Sequence, residues 1–454
     1  MLNYNSEEAQ SSISKFEQML KTNLNYFFDA QEFEDIVIHY LGFGENQLAE
    51  KAIKMGLDQH PGSHELMLLQ SEMLILDQKY DMALELLEYI EKVHPFDEEI
   101  ALQKASIASK KGDHKTSVKQ LHQALNNSED PLEIWNLLGM EHLLAEEFEE
   151  ASFFFKKCID ENPEDYPSLY NFLHCQEQMG HIEKAIACLN KILEHNPYCE
   201  VAWHQLGKIL IKSGKFKEAL SAFDFAIISD DTFTGAYIEK GNLLESFGKT
   251  NEAIQNYEVA MNTTDPTSFI HKCIGRCHEN LGNIYLAKKF YLKSIQLEPS
   301  NENSWESLIL FFINQKKYKK AEYYLSRALE INSDSINLWK KSLELNAFNG
   351  KKERVRISSN RLVELGDSKS DIFIHLIDFF IEKKVWVKAF EFAEEAVSAF
   401  PKNKKLALRL AGCYLNLSRT EEGLNLLNPS GLNTSEKSSF IKLFPNYGKL
   451  ISDM

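Results

Sequence analysis

Proline and glycine are scarce in this chain, 11 and 20 of 454 residues, which argues against long flexible linkers. No apolar run approaches the roughly 18 residues that a membrane span needs. The most apolar pieces, 308–313 and 372–381, are short or interrupted by His375 and Asp378. The opening MLNYNSEEAQSS is acidic and polar where a signal peptide is basic and then apolar, so the sequence reads as cytoplasmic. The seven cysteines (Cys158, Cys175, Cys188, Cys199, Cys273, Cys277 and Cys413) are odd in number and scattered, as reduced thiols are and a disulfide framework is not. A Gly-rich phosphate loop, a Ser/His/Asp elbow and a His-Glu-x-x-His motif are all missing. No residue is left to carry catalysis, and no cofactor is implied.

Charge is abundant but uneven. Residues 1–131 sum to −12, residues 132–265 to −13, and residues 266–454 to +8, for a net −17. The acidic part repels nucleic acid at long range; the last third does not.

What the chain does have is a period. The stretch from Pro131 to Glu164 carries Trp135, Leu138, Gly139, Ala151, Phe155 and Pro163, and a shift of 34 residues brings the pattern back. Repeats begin near 30, 64, 98, 132, 166, 200, 234, 268, 302, 336, 370 and 404. Position 20 is Ala, Ser or Gly in eleven of twelve repeats, which lets two helices approach closely. Position 8 is often small and position 4 usually bulky; four of the five tryptophans stand at position 4. Position 15 is Gly in seven repeats (Gly44, Gly112, Gly180, Gly214, Gly248, Gly282 and Gly350), marking a tight turn between two helices. Proline recurs at position 32, where it ends the second helix.

This helix–turn–helix spacing of bulky residue, Gly, Ala, aromatic and Pro resembles the tetratricopeptide repeat over residues 30–428. The resemblance implies an all-α, right-handed α-solenoid of about twelve 34-residue repeats. Residues 1–29 are expected to form an N-terminal capping helix, with Ser6 as its cap and Ile13, Phe16, Leu20, Leu24 and Phe27 on one face. Residues 429–454 are expected to hold a C-terminal cap and tail, starting at Thr434 and burying Phe440, Ile441 and Phe444. The repeat at 336 departs most, with Val355 in the Ala column and Ser359 in the aromatic column.

The Cys273, Cys277, His271 and His278 cluster has metal-ligand residue types, but its members stand in packing columns and no second pair completes a zinc spacing. It reads as core, and no metal is assigned.

In the resembled family, ligands lie along the first helices at positions 2, 5, 6, 9, 12 and 13. Those columns hold Asn136, Tyr170, Asn171, His174, His204, Lys208, Asn242, Lys272 and Arg276. Such a polar groove suits a protein or peptide partner with acidic groups. The family's carboxylate clamp is not met, because Glu306 and Ser307 follow Lys272 and Arg276; its asparagine ladder is absent.

A second candidate is a basic rim. Lys316, Lys317, Lys319 and Lys320 stand at the turn of one repeat, and Lys351, Lys352, Arg354 and Arg356 at the same turn of the next. Lys383, Lys384 and Lys388 follow. Equal register puts these on one edge, which suits RNA, a ribonucleoprotein or another acidic surface. The reading from sequence is a non-catalytic interaction scaffold or adaptor with a partner in its groove, the rim being the alternative. Composition and period leave the oligomeric state open.

Overall fold

The computed structural model describes residues 7–22, 26–263, 267–427 and 434–449. Ser6, Leu24, residues 428–433 and the tail from residue 450 lie outside the described residues. All regular structure among the described residues is helical. After α1 (Glu7–Thr22) come twelve helix pairs, α2–α3 through α24–α25, and then α26 (Thr434–Leu443). First helices begin at Ala30, His64, Glu98, Leu132, Tyr166, Glu200, Thr234, Ser268, Glu302, Ile336, Lys369 and Lys404. The fold class is the all-α solenoid.

Local chemistry sets these boundaries. Asp29 caps α2 (Ala30–Gly42) in a reciprocal box with Glu32, and Ser63, Asp165, Asn301, Ser335 and Ser368 each accept a backbone N–H at the start of a first helix. Position 15 has a left-handed φ in all twelve repeats. Seven are the expected glycines; the other five are Gln78, Glu146, Lys316, Lys384 and Ser418, with φ between 55° and 62°. The turn geometry is therefore imposed by the helix pair, even where the residue disfavours it.

Packing between the helices of a pair obeys one volume rule. A Cβ at Gly139, Gly207, Gly241 or Gly275 would lie within 3 Å of the aromatic ring of Phe155, Phe223, Tyr257 or Tyr291 at position 24. Where position 8 is Ser71 or Ala105, position 24 is Leu87 or Leu121; where it is Leu173, position 24 is Leu189. These residues are all buried. An aromatic ring at position 24 stands only opposite glycine, because the ring takes the space a Cβ would need; any larger residue at position 8 is met by a smaller side chain than an aromatic.

The tryptophan column has a second role. The indole N–H groups of Trp203, Trp305 and Trp339 donate to the carbonyls of Pro197, Pro299 and Ser333, 2.7–2.8 Å away. Each acceptor is position 32 of the preceding repeat, so in these three repeats the indole ties down the loop that joins two repeats.

The chain divides into two compact units, Met1–Ser229 and Asp230–Met454, with the division falling at the boundary between repeats six and seven. In the first unit, α1 covers the leading repeat with Phe16 and Met19, which pack among Phe28, Phe33, Ile36 and Tyr40. Phe27, expected on the buried face of that helix, lies beyond its end and is exposed. In the second unit, Phe440 and Phe444 of the C-terminal segment are buried on α24 (Lys404–Asn416). A Cβ on Gly412 would meet the Phe444 ring at 2.2 Å, and the Tyr447 hydroxyl donates to the Leu415 carbonyl.

Candidate functional site

The candidate groove residues fall on first helices, three of them in the first unit: α8 (Leu132–Leu144), α10 (Tyr166–Gln178) and α12 (Glu200–Lys212). Their polar ends are not equally available. Asn136 donates to the Ser168 hydroxyl at 3.0 Å, and Asn171 lies 3.4 Å from the Met140 sulfur, so both bridge α8 and α10. His204 packs near the Phe223 ring, and burial together with Lys208 pushes its pKa down to about 4. It is therefore a neutral imidazole at pH 7 and cannot serve as the cationic donor an acidic ligand wants. Tyr170 is 44% exposed, His174 is exposed beside Phe148, and Lys208 is half-exposed with no ion pair among the described residues.

In the second unit, α14 (Thr234–Ser246) supplies Asn242, and α16 (Ser268–Asn280) supplies Lys272 and Arg276. Asn242 accepts from the buried Tyr257 hydroxyl at 2.7 Å. Arg276 forks onto Glu245, Nε to Oε1 at 2.6 Å and Nη2 to Oε2 at 2.8 Å, and this bond holds the guanidinium well above its ordinary pKa. Lys272 lies over the Phe269 ring.

Arg276 belongs to a pattern that sequence reasoning missed. Glu177 pairs with Lys212 at 2.6 Å, Glu279 accepts from Asn314 at 3.1 Å, Glu344 contacts His375 at 2.9 Å, and Arg409 forks onto Asp378 at 2.7 Å. In each case a carboxylate at position 9 or 12 meets a donor at position 6, 9 or 13 of the next repeat. Burial would raise Glu344, but His375 and Lys341 outweigh it and hold its pKa below the usual value. The first-helix face is stitched from repeat to repeat by these pairs. Their signal in the sequence was an acid and a base, or in one case an amide, 31–35 residues apart in columns taken for ligand contacts.

The rim residues cluster as register required, but differ in their partners. Lys351 and Arg354 both reach Glu322, at 2.6 Å and 3.5 Å; with Asn349 they overcome the burial that would raise this carboxyl and keep it below its ordinary pKa. Arg356 pairs with Glu353. Lys388 donates to the carbonyls of Ala347 and Phe348, capping a helix end. Lys316, Lys317, Lys319, Lys320 and Lys352 are exposed, with no ion pair among the described residues.

The seven cysteines are all buried. Burial pushes Cys175 and Cys188 up to about 11 and Cys277 and Cys413 up to about 12, so these thiols are protonated at neutral pH. His271 meets the Thr267 carbonyl at 3.0 Å and His278 stacks on Phe290. Among the described residues no group of three or more His, Cys, Asp or Glu could hold a metal ion, and no helix is long and apolar enough to cross a membrane.

Comparison with known proteins agrees with the repeat geometry. Two tetratricopeptide repeat family models match, one over residues 142–208 and the other over 201–227 and 274–301. Tetratricopeptide repeat-containing protein trd-1 of Caenorhabditis elegans is 23% identical over 44% of this chain and 25% of its own length. Human tetratricopeptide repeat protein 6 is 26% identical over 43% of this chain and 38% of its own length. The match thus spans less than half of these relatives. Among solved structures, the anaphase-promoting complex tetramer Cut9-Hcn1 aligns with 90% of this chain and 93% of its own at 14% identity, with a TM-score of 0.38. The repeat columns, the helix pairs they specify and the matching family models agree: the chain carries tetratricopeptide repeats, matched over residues 142–227 and 274–301.

Proposed function

We propose that the chain is a non-catalytic scaffold that holds a partner protein or peptide against its first helices. One observation carries this reading. Tyr170, His174 and Lys208 on α10 and α12 present polar groups to solvent, while their neighbours Asn136, Asn171 and Glu177 are engaged in contacts between repeats. A tyrosine, an imidazole and an ammonium on adjacent helices offer a π face and donors to an extended acidic segment. Lys272 over Phe269 adds a similar pair in the second unit. Within the second unit, Asn242 and Arg276 serve as supports for the first-helix face there, since they are engaged by Tyr257 and Glu245.

The test is affinity capture from native lysate with the full chain and a Tyr170→Ala/Lys208→Glu variant, partners being identified by mass. The expected result is a protein partner retained by the wild type and lost by the variant at moderate salt. Identical partner sets, or turnover of a substrate by the purified chain, would overturn the scaffold reading.

The second reading, docking of an acidic surface to the rim, is favoured by the five exposed lysines without carboxylate partners. Its signature is binding that falls steeply with salt and is lost in Lys317→Glu/Lys319→Glu.

A further inference from the structure

The tenth and eleventh repeats invert the volume rule. Position 24 carries Ile, Leu, Phe or Tyr in the other ten repeats, but here it is Ser359 and Ala393. Position 8 compensates with Leu343 and Ile377, both fully buried, so the interior of each pair stays filled. The space between the two second helices, α21 (Lys352–Glu364) and α23 (Trp386–Ala399), is not compensated. A cleft of about 640 Å³ opens there. Its floor is Ile372, Phe373 and Leu376 of α22 (Lys369–Glu382), and its walls include Val355, Ser359 and Phe392.

We propose that this cleft docks an acidic segment of a partner protein through one large apolar side chain. The volume lies within the roughly 300–1,000 Å³ of ligand pockets and exceeds one aromatic side chain, so flanking residues enter too. The charge at its mouth sets their sign. Lys352 and Lys369 line the α21 side and the start of α22 and are exposed there without an ion pair among the described residues. Arg356 already has Glu353, and Lys388 has its carbonyls. Glu391 and Glu395, exposed on the α23 wall, repel acidic groups, so those of the ligand belong on the opposite side, along Lys352 and Lys369. The cleft is built on second helices and does not rest on the first-helix reading.

The full chain is panned against a displayed library of random 12-residue peptides, and recovered peptides are titrated by fluorescence polarisation. The discriminating variant is Ser359→Leu. Leu173 and Leu189 occupy the same two columns of the fifth repeat, both buried, so a leucine at 359 opposite Leu343 has a precedent within this chain. The expected peptides share a Phe, Trp or Leu flanked by Asp and Glu. They bind Ser359→Leu about tenfold more weakly, about 1.4 kcal/mol, while its melting temperature equals or exceeds that of the wild type. The surface pair Lys352→Glu/Lys369→Glu, which removes no packing, weakens them similarly. Four outcomes overturn the proposal: no enrichment, peptides lacking the anchor or its acidic flanks, binding indifferent to both variants, or self-association of the chain abolished by Ser359→Leu.

Discussion

At the residue scale, the hydrogen bond from position 4 to the preceding loop has a measurable worth. Trp203→Phe keeps a ring against Phe225, with which Trp203 stacks at 4.7 Å, but removes the N–H donated to Pro197. The expected loss is about 1 kcal/mol, read as faster hydrogen exchange at 196–200 with unchanged protection in distant repeats. His204 gives a pH prediction. Its pKa is about 4 in the folded chain against an ordinary 6.5, so the unfolded chain binds the proton first. The stability this group contributes is complete above about pH 6.5 and is lost as pH falls toward 4, with an upper limit of about 3 kcal/mol. His204→Gln is expected to flatten that part of the stability–pH curve; an unaltered slope would show that the imidazole titrates normally in the fold.

At the scale of the element, α21 is the weak member of its array. Its sequence KERVRISSNRLVE buries only Ser358 and Leu362, whereas α13 (Phe216–Ser229) buries Ala219, Ala222, Phe223 and Ala226. On the side opposite the 640 Å³ cleft, a second cleft of about 410 Å³ is lined by Ser342, Ser358 and Asn346. Few buried apolar contacts mean a low local opening free energy. Native-state hydrogen exchange is expected to show α21 amides exchanging at least tenfold faster than those of α13. Equal protection would mean that the ties from Lys351 and Arg354 to Glu322 and the Ser342–Ser358 hydroxyl contact at 3.0 Å hold α21 as firmly as apolar packing holds its counterparts.

At the scale of the whole molecule, charge separates the two units. Residues 1–229 carry 19 Lys and Arg against 39 Asp and Glu; residues 230–454 carry 31 against 28. Self-repulsion therefore weighs on the first unit. Raising salt from about 10 mM to about 150 mM shortens the screening length from about 30 Å to about 8 Å. Exchange protection in the first unit is expected to rise over that range, and in the second to change little. A parallel response would make the imbalance irrelevant to stability.

The sequence alone determined the repeat, its length and its turns, because these rest on columns whose sizes recur every 34 residues. It determined the left-handed turn at position 15 through seven glycines, and the same rule then extends to Lys316 and Lys384, which no propensity would have placed there. Only the tertiary structure decided which polar residues of the first helices are engaged. Glu245 and Arg276 stand 31 residues apart and meet because successive first helices stack side by side, a juxtaposition that no local pattern encodes. The same holds for Ser359. Read in its column it is a missing aromatic; read in space, with Leu343 filling the pair from the other side, it leaves an opening between second helices. Volume in a packed interior is conserved over neighbours in space, and the sequence orders only neighbours along the chain.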